Sequence, residues 1–254
     1  MTTLPYSLDR SILIRAPREI VFRYFTDSER FARWWGAGSS IESRVGGEVK
    51  IVYPNQVVAR GAVTMVRAGS GIAFTYGYED PSKPIRPGGS LVTIELTDHP
   101  DGTLVKLRHD LPTEADRELH APGWRFQLAL FANVVANEQH ARLAEHVDRW
   151  FSAWAEVDAK KRDGLLALCA SDGVRMVDKY SCLTGREDLS AHIGMCHQFM
   201  PGVVMRREGD PRQCQGTALV EWTATDAKGN PAGKGTNVLS LAPDGRIASA
   251  VGLW

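Results

Sequence analysis

Residues 120–158 read HAPGWRFQLALFANVVANEQHARLAEHVDRWFSAWAEVD, and their spacing decides the architecture. Trp124, Leu128, Phe131 and Val135 recur as one face of a helix, and Leu143, Val147, Trp150, Phe151 and Trp154 recur as one face of another. Between them, Asn137–His140 is polar and short. One helix closes a first domain and another opens a second almost at once, giving domains over 1–138 and 139–254. A near-continuous helical junction is stiffer than a Gly/Ser linker.

Upstream, Ser11–Arg15 predicts a strand, and Pro17 suits the start of a helix whose apolar face is Ile20, Val21, Tyr24 and Phe25. A second short helix follows over 28–33, ending at Trp34-Trp35-Gly36. Gly46-Gly47 marks a turn or bulge before Val49, Ile51 and Tyr53. Strands are expected over 59–67 and 72–78, the second with Phe74, Tyr76 and Tyr78 on one side. The Pro/Gly-rich stretch 81–89 must be a loop, and strands 91–97 and 103–111 join across Asp101-Gly102. The closing helix is expected to begin near Gly123-Trp124. A curved sheet wrapped on that helix leaves a gap lined by aromatic side chains.

Downstream, helices are expected over 141–158, 163–169 and 186–200, with a strand near Val174–Asp178. Four strands follow over 203–208, 217–225, 234–241 and 246–254, read as an antiparallel run. Helices followed by strands describe an α+β cone, a curved sheet folded over helices. The whole chain is therefore α+β, with two domains.

Lys+Arg and Asp+Glu number 30 each in 254 residues, so the formal net charge is zero. Nucleic-acid and membrane partners usually demand a basic excess, and none is expected here. No apolar run approaches a membrane span. Met1–Arg10 lacks the basic and apolar regions of a signal peptide, which places the protein in the cytoplasm. The four cysteines lie in the second half without a CxxC pair and are expected to be free thiols. His192 and Cys196 could share a helical face, but no second ligand pair accompanies them, so no metal is expected. No GxSxG elbow, no evident base partner for a Cys or Ser and no phosphate-cradling glycine motif appears.

Ile14-Arg15-Ala16-Pro17, Phe25-Thr26-Asp27, Trp34-Trp35, Gly46-Gly47, Gly61, Asp101-Gly102-Thr103 and Gly123-Trp124 stand in an order that resembles the START/Bet v 1-like (SRPBCC) superfamily. Within it they are most similar to homologues of the heat-shock-protein-90 ATPase activator. The resemblance implies a helix-grip fold around a cavity for a hydrophobic ligand. The wall residues expected are Trp35, Phe74, Tyr76, Tyr78, His109 and Trp124. The alternative for His109 is a hydrogen-bonded core histidine, and for the aromatics ordinary core packing.

Residues 140–254 resemble the nuclear-transport-factor-2-like superfamily, in particular its SnoaL-like and ketosteroid-isomerase-like members. The resemblance rests on Arg149-Trp150, Leu165–Cys169, Val177-Asp178, the Gly185 turn and Asp244-Gly245-Arg246-Ile247. It implies a cone-shaped barrel and a homodimer. It puts Asp178 in the place of the general base, a carboxylate whose pKa an apolar pocket would raise. Trp150 stands where the oxyanion-hole tyrosine belongs and Asn237 where the acid belongs. Indole and amide N–H groups can both donate. A solvated strand-end carboxylate is the alternative for Asp178.

Three functions follow: a binder of a small hydrophobic molecule with the first domain as receptor; a cofactor-independent isomerase, cyclase or lyase using Asp178; and a protein–protein or chaperone-related module. No cofactor is implied by any of them.

Overall fold

The computed structural model describes residues 4–254. They divide into two compact units, the first ending at Ala136 and the second spanning Asn137–Trp254. Each has its own buried apolar cluster. Both are α+β.

In the first unit, β1 (Tyr6–Ile14) leads into α1 (Arg18–Arg23) and α2 (Ser28–Trp35). Pro17 is the N-cap of α1 rather than its first residue, with φ −60° and ψ 148°. Asp27 caps α2 by accepting from the amides of Glu29 and Arg30. The meander β2 (Ser40–Ile41), β3 (Glu48–Val52), β4 (Val58–Arg67), β5 (Gly71–Tyr76), β6 (Ser90–His99) and β7 (Gly102–Leu111) follows, and α3 (Glu114–Gln139) closes the unit. The sheet order is β1-β7-β6-β5-β4-β3-β2, antiparallel throughout. Gly61 sits where β4 passes β5 so closely that a Cβ would run into the Thr75 carbonyl oxygen. Phe131 of α3 meets the rings of Tyr24, Phe25 and Trp34, which ties the long helix to both short ones.

α3 corrects the sequence reading: it begins nine residues before Gly123 and runs through Pro122. A proline inside a helix lacks the N–H for the preceding turn and usually marks a boundary. Here the turn before it is reinforced from the side chain, since Nδ1 of His120 donates to the Asp116 carbonyl at 2.7 Å.

The second unit opens with α4 (Leu143–Ala155) and α5 (Ala159–Cys169), then β8 (Ala170–Val177), β9 (Cys182–Thr184) and α6 (Arg186–Phe199). β10 (Val204–Cys214), β11 (Thr217–Thr225), β12 (Pro231–Leu241) and β13 (Ile247–Leu253) complete it. The sheet order is β10-β11-β12-β13-β8-β9. It is an open sheet with two free edges rather than a closed barrel. β8 runs parallel to β13, a pairing the expected antiparallel run did not include. Parallel neighbours need a long crossover, and the helix and strands between β8 and β13 supply it.

Candidate functional site

Each unit contains a cavity. In the first, a half-open pocket of about 290 Å³ lies beside α3, lined among others by Trp35, Tyr53, Tyr76, Tyr78, His120 and Trp124. Tyr76 and Tyr78 are two residues apart and project from the same side of their strand path. His120 and Trp124 are four apart and share a face of α3. Trp35 ends α2, and Tyr53 follows β3. Leu119 and Phe126, exposed at 59% and 70%, stand at the mouth.

The polar groups of this wall are phenols, an imidazole and indoles. The Tyr53 and Tyr76 hydroxyls are 2.7 Å apart. Burial holds both phenols well above their ordinary range, so they are neutral donors. Burial also lowers the His120 pKa, leaving a neutral ring whose Nδ1 donates to Asp116 and whose Nε2 can accept from the Tyr78 hydroxyl at 3.3 Å. The indole N–H of Trp35 is buried with no acceptor among the described residues.

Of the six wall residues expected from sequence, Trp35, Tyr76, Tyr78 and Trp124 line this cavity. Phe74 and His109 stand outside its lining. Phe74 is fully buried in the core. His109 is also fully buried, and its ring is satisfied on both sides. Trp124 Nε1 donates to His109 Nδ1 at 2.9 Å, which assigns the proton to Nε2. Nε2 then donates to Ser90 Oγ at 2.9 Å, and Ser90 Oγ donates to the Tyr76 carbonyl at 2.8 Å. Burial, with a smaller contribution from His120, pushes the His109 pKa down to about 3. Its place on an apolar strand face signals burial but not which side of the packing it meets. Tyr53 and His120 were not singled out from sequence. The spacing of His120 four residues before Trp124 was the available signal.

In the second unit a cavity of about 180 Å³ lies under the curved sheet. Asp178, Asn237 and Trp150 all line it. Asn237 is paired with Gly252 on β13, and a Cβ at Gly252 would stand 3.3 Å from Asp178 Cβ and 3.5 Å from Asn237 Oδ1. The missing side chain thus lets the carboxylate and the amide face the same space. Asp178 Oδ1 accepts from the amides of Tyr180 and Ser181 and from Ser181 Oγ, all within 2.8 Å. Its other oxygen makes no hydrogen bond among the described residues.

The rest of this wall is apolar and aromatic, with Trp154, Trp222 and Trp254 prominent. His192 and Cys196, one turn apart on α6, also line it, with Nε2 and Sγ 3.5 Å apart. Cys196 therefore has a base neighbour, the one that its four-residue spacing from His192 on a helical face offered. Burial and the Asp178 charge both raise its pKa, which keeps it a thiol and not a nucleophilic thiolate. Among the described residues, no group of three or more His, Cys, Asp and Glu side chains could hold a metal ion. None of their helices is long and apolar enough to cross a membrane.

A helix-grip sheet closed by one long helix defines the class of the first unit, and the comparisons place it. Residues 15–136 match the family described as activator of Hsp90 ATPase homolog 1-like protein. The N-terminal unit belongs to this AHSA1-like family. An AHSA1-like protein from Rhizobium etli is 31% identical, over 52% of this chain and 82% of that one, with a TM-score of 0.43. The Aha1 dimer from Colwellia psychrerythraea is 17% identical over 52% of this chain and 96% of that one, with a TM-score of 0.45. The chain is also similar to a putative isomerase of the SnoaL-like family from Agrobacterium tumefaciens, at 28% identity over 45% of this chain and 96% of that one, with a TM-score of 0.41. No curated protein matches the chain.

Proposed function

We propose that this chain binds a small, mainly hydrophobic molecule in the cavity of its AHSA1-like unit. The observation that carries this reading is the wall itself: indole and phenol faces around about 290 Å³, with no Lys, Arg, Asp or Glu among the lining residues. Such a site excludes water from apolar surface while leaving neutral N–H and O–H donors to orient a ligand. An apolar cavity of about 150 Å³ accepts a benzene ring, so this one has the size for a two-ring body. Native mass spectrometry of protein purified from its own host tests occupancy directly. With a neutral, solvent-sensitive naphthyl ketone dye as probe, Tyr76→Ala is expected to weaken binding at least about tenfold, the equivalent of 1.4 kcal/mol. Unchanged affinity would move the ligand site out of this cavity.

A second reading belongs to residues 139–254, proposed as a SnoaL-like domain. Asp178 acts there as a general acid/base, with the Asn237 amide donating to a developing oxyanion and Trp150 bounding the pocket. The approach of Asp178 and Asn237 across Gly252 in an apolar cavity supports it. Deuterium exchange from solvent into a panel of small ketones, lost in Asp178→Asn, is the test. Self-association is proposed through the outer face of the second sheet, where Leu219, Val238, Val251 and Val177 stand in register across four strands, all at least partly exposed. A clean monomer in sedimentation would oppose it.

A further inference from the structure

The wall of the second cavity has a composition that isomerase chemistry does not require. Four tryptophans, Trp150, Trp154, Trp222 and Trp254, line it together with Tyr180. Among the described residues these four indoles do not stack on one another. Trp254 meets Tyr180 edge-on at 5.4 Å, and Trp154 meets His192 at 6.0 Å. The rings therefore surround a space and do not fill it. No Lys or Arg lines the cavity, and Asp178 is its only carboxylate. His192 and Cys196 are the other titratable side chains facing it with Tyr180. Asp178 Oδ1 is committed to the turn at Tyr180-Ser181, which fixes the carboxylate and leaves Oδ2 free.

Aromatic faces around a void, with one oriented carboxylate, are complementary to a cation with a greasy surface. The ring quadrupoles attract positive charge at their faces, and a weakly hydrated alkylammonium loses little on leaving water. Tyr180 already has a cation over its ring, the Lys179 ammonium at 5.1 Å from the centroid. A strongly hydrated metal ion fits such a wall poorly, because it demands a full shell of oxygen ligands and the indoles and methionines around Asp178 and Asn237 supply none. The volume of about 180 Å³ is slightly above the roughly 150 Å³ that holds a benzene. That is the size of a trimethylammonium head with a short chain.

We infer that the cavity lined by Asp178, Trp150, Trp154, Trp222, Tyr180 and Trp254 is a binding site for a small organic ammonium cation, with Asp178 as its counter-ion. The inference rests on the second reading only in taking this cavity as a ligand site. It holds whether or not Asp178 also moves a proton.

The test is titration of the full-length chain with choline, with tetramethylammonium and with dimethylbutanol, the uncharged carbon isostere of choline, followed by calorimetry and indole fluorescence. Both cations are expected to bind, and the isostere at least tenfold more weakly than choline. Asp178→Asn should weaken choline at least tenfold and leave the isostere unchanged. Trp254→Ala, a change at a half-exposed position, should weaken both cations severalfold with the fold intact by circular dichroism. Equal affinity for choline and its isostere would overturn the cation assignment while keeping the cavity as an apolar ligand site. No response to either cation, with ketone deuterium exchange present, would overturn this inference and leave the acid/base reading standing. Absence of both would remove the cavity from function altogether.

Discussion

His109 accepts from Trp124 and donates to Ser90, so the ring is useful to the fold only when neutral. Its pKa stands at about 3 in the folded chain against an ordinary 6.5. Between those values the unfolded chain binds a proton that the folded chain refuses. Stability therefore falls as pH drops from about 6.5 toward about 3, by roughly 1.4 kcal/mol per pH unit at its steepest. Above that window His109 contributes no slope. Urea midpoints measured from neutral to acid pH should show the loss in the first unit, and His109→Gln should flatten it while lowering stability at neutral pH. An unchanged slope in the variant would mean that the loss comes from other groups. His120, also lowered by burial, adds in the same direction.

At the scale of elements, α3 has two different contact patterns along its length. Phe131 is fully buried against Tyr24 and Phe25, just past the end of α1, and Trp34 of α2. Phe126, five residues earlier, is 70% exposed at the cavity mouth. Phe131→Ala should destabilise the first unit by about 3–5 kcal/mol through lost burial and a residual cavity. Phe126→Ala should change stability by less than about 0.5 kcal/mol but alter probe binding in the first cavity. Denaturant midpoints and dye titration on the two variants check both halves of this statement. If Phe126→Ala destabilised as much as Phe131→Ala, the exposed side of α3 would have to be covered in solution. The start of α3 was the least legible feature of this element. Pro122 reads as a boundary because the cost of proline in a helix is local, whereas the contacts of His120 with Tyr78 and of Trp124 with His109 are not encoded nearby.

At the scale of the molecule, the two apolar cores draw on separate halves of the chain. Each core is closed within its own unit, so Phe131→Ala is expected to shift the unfolding of residues before 137 alone. Amide exchange followed by mass spectrometry should show residues 137–254 with unchanged protection. A common loss of protection in both halves would mean that the units unfold as one.

Periodicity in the chain was enough to reveal two helical faces around residues 124–154, most strands, and the α+β class, because burial on one face repeats every two or 3.6 residues. Alternation set Phe74, Tyr76 and Tyr78 on one face, whereas Asp178, Asn237 and Trp150 were reached through a family resemblance; Trp35, Tyr76, Tyr78 and Trp124 stand at the first cavity and Asp178, Asn237 and Trp150 at the second. What periodicity reports is that a side chain is turned inward. Whether inward means a cavity or a packed core depends on the neighbour across the gap, and that neighbour is remote in sequence. Phe74 and His109 share their faces with cavity residues yet pack solidly, His109 through a bond to Trp124 from another element. The meeting of Asp178 with Asn237 across Gly252, and of Cys196 and four indoles around the same void, exists only once β8, β11, β12, β13, α4 and α6 are assembled. Tertiary structure decided those contacts because long-range proximity has no local signature in the chain.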